Sequence, residues 1–182
     1  MGLQEILREN RDNIVSRWFE QTVDTYPSDA RRFFKRLEDP ISNPVGSTIF
    51  RGMSEAFDCL ISGADLETEA VRGALDDILR IRAVQEFTAE TAVSFVFDLK
   101  TIVRKVLGKE IGEKRILEDF LTFEGRVDKL ALLAFNIFTQ CREKVYELRA
   151  WEFKNRTARI VQRACQVWEA RGEPLPDELK DT

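Results

Sequence analysis

From Glu113 onward the apolar residues Ile116, Phe120, Phe123, Val127, Leu130, Ala134, Ile137 and Cys141 alternate steps of four and three. That is a heptad seam held over about three and a half repeats, a pattern that only a helix presents on one face. Lys144 interrupts the phase, and Val145 and Leu148 resume it one position later, as a local change of winding requires. No proline lies between Pro44 and Pro174, so the helix can continue until Gly172-Glu173-Pro174 stops it. At 1.5 Å per residue, Glu113 to Arg149 spans roughly 55 Å, and continuation to Arg171 makes roughly 87 Å. A globule of this chain length has a radius of gyration of about 16 Å and a diameter of about 40 Å. The rod therefore either bends, for instance around Arg149 to Arg156, or pairs with another chain. The expectation is a homodimer, because self-association covers a seam that one subunit leaves wet. Val127, Leu130, Ala134, Ile137 and Trp151 are the expected dimer or partner surface. The alternative is a monomer whose last helix folds back.

The rest of the chain also reads as helix. Leu3, Leu7, Ile14 and Trp18, with Val15, Phe19 and Val23, make one broad stripe from Leu3 to Tyr26, ended by Pro27. A short helix from Ser28 to Leu37 turns Phe33 and Phe34 inward, and Glu38 to Ser42 form a loop. Asn43-Pro44 opens a third helix, the asparagine capping free amides and the proline sitting where no donor is needed. Its buried face is Val45, Ile49, Met53, Ala56 and Leu60. Gly46 and Gly52 within it point to close contact with another helix. A fourth helix runs from about Glu67 to Gln85 on Val71, Leu75 and Ile78. Thr88 caps a fifth, Ala89 to Leu107, whose apolar residues cover most of its circumference and make it the central element of the core. Gly108 to Gly112 is a break. The expected division is a helical domain at 3–111, then a helical hairpin, linker or dimerisation region at 112–171. The second region is either part of the same globule or projecting. Residues 172–182 are expected to be a disordered tail.

Composition narrows the function classes. With 182 residues, 43% of them hydrophobic, the chain can fill one domain or a domain with an extension. Its 28 basic and 32 acidic residues, net −4, are mixed along the sequence, unlike the clustered positive charge of a nucleic-acid surface. No apolar run of about 18 residues suggests a membrane span. The start, Met1-Gly2-Leu3-Gln4-Glu5, lacks a secretory pattern, and Ile6 stands where a myristoylation signal needs Ser or Thr. Cys59, Cys141 and Cys165 read as small buried hydrophobes in a reducing cytoplasm. With no histidine in the chain, His-ligated zinc or haem, the Glu-x-x-His di-iron bundle and Ser-His or Cys-His nucleophiles are excluded. No catalytic constellation is visible, so the expectation is a non-enzymatic cytoplasmic protein with no cofactor.

Three segments in order carry a resemblance: Asn43-Pro44-Val45-Gly46, then Leu75 to Phe87 (LDDILRIRAVQEF), then Ala92 to Lys100 (AVSFVFDLK). Together with Leu7-Arg8-Glu9-Asn10, Ile14 and Trp18 they resemble the N-terminal domain of RsbRD-type proteins, over about Leu3 to Ile111. These are co-antagonists of the RsbT kinase in bacterial general stress signalling. The resemblance implies an all-α fold, globin-like or a related helical bundle with a long C-terminal helix. It also implies a haem-free input domain that dimerises and signals through that helix, with a kinase or STAS-type protein as possible partner. In the family such a domain commonly precedes a phosphorylatable STAS output domain. None follows in this sequence, so the expectation is a free-standing regulatory or adaptor protein.

Two positions break the apolar phase of the fourth helix: continuing from Ile78 reaches Arg82 and then Gln85. A guanidinium in a core needs a carboxylate or carbonyl partner. One reading pairs Arg82 with Glu86 or with Asp98. The other places Arg82, Gln85 and, less directly, Asn43 around a small anion or metabolite in a pocket between helices. Asp76, Asp77 and Arg80, like Glu118, Asp119 and Glu124, read as solvated faces. Trp151, Phe153 and Trp168 read as packing or partner surface. The proposed mechanism is conformational: a change at the Gln85–Thr88 corner shifts the long helix.

Overall fold

The periodicities above all become helix. The computed structural model describes residues 2–35, 42–85 and 87–171, and among them there is no strand. In chain order the helices are α1 (Leu3–Glu9), α2 (Arg11–Val23), α3 (Ser28–Phe34), α4 (Pro44–Ser62), α5 (Glu69–Val84), α6 (Ala89–Leu107) and α7 (Lys114–Arg171), with a 3-10 turn at Glu110–Gly112 before α7. The fold is all-α with a long C-terminal helix of 58 residues. No helix among the described residues is long and apolar enough to cross a membrane. Of the expected loop at 38–42, all but Ser42 lies outside the described residues, as does the expected tail at 172–182.

The chain divides into two units, Met1–Arg142 and Glu143–Thr182. In the first, α6 runs through the core between α2, α5 and the early part of α7. Trp18 of α2 stacks on Phe95 of α6 at 5.9 Å, and its indole N–H donates to the Phe95 carbonyl at 2.6 Å. Lys100 and Arg104 of α6 pair with Asp128 at 2.6 Å and Glu124 at 2.7 Å on α7. All eight seam residues from Ile116 to Cys141 are buried in this core. The first unit closes at Arg142, and the start of α7 supplies one wall of it. α6 is less enclosed than its composition suggests, since Phe97 is exposed and lies near the Lys100 ammonium.

Helix ends are satisfied by specific side chains. Asn43 is buried; its Oδ1 accepts from the Gly46 amide and its Nδ2 donates to the Phe34 carbonyl, each at 2.9 Å. That ties the end of α3 to the start of α4. Thr68 and Thr88 accept from the amides of Val71 and Thr91, leaving few orphan donors at the starts of α5 and α6. At the other ends α7 supplies arginines. Arg126 donates to the carbonyls of Cys59 (3.1 Å) and Ala64 (2.5 Å) around the left-handed Gly63 that ends α4. Arg142 donates to the Ala83 carbonyl at the end of α5, at 2.8 Å. A guanidinium there meets both free carbonyls and the negative end of the helix dipole.

Two expectations are corrected. The first stripe is not one helix from Leu3 to Tyr26, but breaks at Asn10 (φ −98°, ψ 9°). The Asn10 amide group donates to the Ile6 carbonyl, the local competition with helix that asparagine favours, and Arg11 then grips Asp58 through both carboxylate oxygens at 2.6 Å. Phe33 is also half exposed, and Phe34 alone of that pair is buried.

In the second unit, residues 143–171 are the last part of α7, and Tyr146, Leu148, Trp151, Phe153, Ile160 and Val167 are each at least half exposed.

The glycine in mid-α4 marks a close approach of α4 to α5: a Cβ on Gly52 would meet the Ala74 carbonyl at 2.7 Å and the Ile78 side chain at 3.0 Å. Gly52→Ala is expected to destabilise the protein by about 1–3 kcal/mol, although alanine is the better helix former. Gly73→Ala on the exposed side of α5, where nothing lies within 4 Å, is expected to stabilise by about 0.5–1 kcal/mol. Urea denaturation midpoints of the two variants check the opposite signs.

Candidate functional site

Arg82 follows Ile78 by four residues on the buried face of α5 and is 0% exposed. The aromatic rings of Tyr26, Phe87 and Phe95 lie 5.1, 4.6 and 5.2 Å from its guanidinium carbon. Tyr26 comes from the turn after α2, Phe87 from the α5–α6 corner and Phe95 from the middle of α6. Nη2 donates to the Thr25 hydroxyl at 2.7 Å and to the Thr91 carbonyl at 3.3 Å. Nε and Nη1 have no acceptor among the described residues, and neither the Tyr26 hydroxyl nor the Thr22 hydroxyl has a partner there.

Magnitudes show how unusual this is. Each ring face stabilises a desolvated guanidinium by about 0.5–2 kcal/mol. Each buried donor left without an acceptor costs about 1–3 kcal/mol. The rings offset part of the penalty for burying a charge without a close counter-ion. Burial pushes the Arg82 pKa down, against the pull of Tyr26 and Asp98. Burial pushes the Tyr26 phenol up, opposed by Arg82. Asp98 is also raised by burial, against the hydrogen bond from Gln21 and the attraction of Arg82. Asp98 is thus felt by Arg82 at a distance. The other expected partner, Glu86, lies outside the described residues.

Over this cluster opens a groove of about 750 Å³, with Thr25, Tyr26, Ala30, Gln85, Phe87 and Thr91 among its walls. Four of these residues also touch Arg82, so the guanidinium lies one side chain beneath the groove floor. Gln85 is exposed on the wall, not buried in the phase of Arg82. Gln85 thus lines the groove itself, whereas Arg82 lies behind the residues that line it. Asn43 is not among its walls; both ends of its amide bind backbone at the α3–α4 junction. The contributions of Thr25, Tyr26, Phe87, Thr91 and Phe95 were missed by sequence reasoning. The one available signal was a tyrosine beside Pro27 and a phenylalanine beside Thr88, two helix junctions that could face each other.

The residues assigned to a partner surface separate into two groups. Val127, Leu130, Ala134 and Ile137 are buried in the core of their own unit; the chain itself covers that part of the seam, and those side chains have no surface to offer a mate. Trp151 is 63% exposed. Of the acidic residues singled out, Asp76 pairs with Arg80, Asp77 with Arg51 at 3.3 Å, Glu118 with Lys114 at 4.0 Å and Glu124 with Arg104.

Comparison with curated proteins and with solved structures finds no match. The family model described as the RsbT co-antagonist protein rsbRD N-terminal domain matches residues 12–152, covering every helix that contributes to the Arg82 cluster, and the chain belongs to that family of stress-signalling regulatory domains.

Proposed function

We propose that this chain is a non-enzymatic, haem-free regulatory module of cytoplasmic stress signalling that works as a homodimer and switches a signalling partner, a kinase or a STAS-type protein. The observation that carries the reading is the hydrogen bond from Arg142 of α7 to the Ala83 carbonyl. Ala83 is the neighbour of Arg82 and the second-to-last residue of α5. A displacement at the Gln85–Thr88 corner therefore pulls directly on α7, with no need to repack the core between them. The globin-like description belongs to this proposal as well, resting on the family membership and the all-α fold.

Self-association is supported by a second periodicity. Tyr146, Phe153, Ile160 and Val167 recur every seven residues and are each at least half exposed. A helix face of that kind is stable in water when a second helix covers it. This part of α7, with Trp151 close by in sequence, takes the role first given to Val127 through Ile137. A second reading is a small-anion or metabolite binding protein using the groove at Arg82 and Gln85. The donors left without acceptors on Arg82 favour it.

Light scattering at tens of micromolar is expected to give the mass of a dimer, and the Phe153→Glu/Ile160→Glu double variant the mass of a monomer. A wild-type monomer at that concentration overturns the homodimer. Arg142→Met, which removes a charge-assisted bond to a helix end, is expected to lower stability by about 1–3 kcal/mol. It is also expected to speed hydrogen exchange of the amides near the end of α5 more than those in the middle of α4. Uniform acceleration across the first unit counts against a specific link between the corner and α7.

A further inference from the structure

The groove over Arg82 has three properties that together specify a ligand class. First, Arg82 holds a positive charge at 0% exposure with Nε and Nη1 unpartnered among the described residues, so the missing group is an acceptor, and a charged acceptor bonds more strongly than a neutral one. Second, aromatic rings lie over the guanidinium, so an acceptor must arrive edge-on, in the plane of the nitrogens. A flat carboxylate fits such a slot, whereas a tetrahedral phosphate is thicker than the guanidinium it must follow. Third, the groove leading there has apolar walls at Tyr26, Pro27, Ala30 and Phe87, and its two charged wall residues, Asp24 and Arg31, are already engaged, Asp24 with Lys35 at 2.7 Å and Arg31 with the Tyr26 carbonyl at 3.3 Å. Those apolar walls suit an apolar tail behind the charged head.

We infer that the groove between the α2–α3 turn and the α5–α6 corner binds a monocarboxylate with an apolar tail, the carboxylate on Arg82 and the tail along Tyr26, Pro27, Ala30 and Phe87. The Tyr26 and Phe87 rings meet edge to face at 5.1 Å and form the door. Entry of the carboxylate requires Phe87 to swing. Phe87 belongs to the corner whose α5 end Arg142 holds, so occupancy of the groove and the grip of α7 are coupled. This deepens the second reading above and supplies the input that the regulatory reading needs.

The test is titration calorimetry of the full chain with hexanoate and with benzoate, alongside inorganic phosphate and hexanol. Both carboxylates are expected to bind in the micromolar to millimolar range, and phosphate and hexanol at least tenfold more weakly. Arg82→Met is expected to fold with a melting midpoint no lower than wild type, since an apolar isostere removes an unpaired buried charge, and to lose at least tenfold in carboxylate affinity. Should that variant fail to fold, Phe87→Trp, which narrows the door without touching the charge, is expected to weaken hexanoate binding several-fold. Absence of binding by both carboxylates at 10 mM overturns the site. So does equal binding of phosphate or hexanol, or undiminished binding by Arg82→Met. Hydrogen exchange separates this failure from that of the regulatory reading. Hexanoate binding that leaves the amides at the end of α5 and in α7 unchanged keeps the site and removes the coupling. No binding, with a dimer and an intact Arg142 effect, removes the site alone.

Discussion

Burial of one face of α7, from Ile116 to Cys141, is the interaction that the first unit rests on. Phe120, Val127, Leu130 and Ala134 are all essentially inaccessible, and fully burying a side chain of the larger kinds stabilises by about 1.5–3 kcal/mol. α6 needs that wall: its own apolar residues exceed what α2 and α5 can cover. The ion pairs Lys100–Asp128 and Arg104–Glu124 run along the edge of the same contact. They are partly exposed and contribute little to stability, but they discriminate against sliding of α7 by one turn.

The arginines of this chain show how one residue type serves different ends. Arg126 and Arg142 bring a charge to the carbonyl end of a helix, where acceptors are plentiful and the dipole is favourable. Arg11 finds both oxygens of Asp58. Arg82 has neither arrangement. Its neighbours are ring faces, a threonine hydroxyl and one distant backbone carbonyl, and Nε and Nη1 meet no acceptor among the described residues. Since an apolar side chain of similar length would fill the same volume without that penalty, packing alone gives no account of an arginine here.

Sequence periodicity made the helices legible wherever the cause was local. The Asn43-Pro44 start of α4, the Thr88 cap of α6 and all eight seam positions of α7 depend on residues within one or two turns of each other. The unusual status of Arg82 was legible for the same reason, as a polar residue in an apolar phase. What covers an apolar face was not legible, because a stripe says which side is greasy and not whose side chains lie against it. Val127 through Ile137 looked like an interface between chains and are core. The break at Asn10 escaped because the apolar rows continue across it in register. The enclosure of Arg82 by Tyr26, Phe87 and Phe95 escaped because it joins residues far apart in sequence, and Gln85 left the core because α5 stops at Val84.

The bond between Arg142 and Ala83 bounds the dynamic range of any switch routed through it. A single charge-assisted contact is worth about 1.5–3 kcal/mol, and coupling free energies of 1–3 kcal/mol correspond to affinity ratios of about 5–150. A device built on that one bond acts as a dimmer and not as a latch: it tilts a population by one or two decades and resets without unfolding anything. Full on-off contrast, which takes a differential of about 5.5 kcal/mol, would need two such joints moving together, as two copies of the chain would provide.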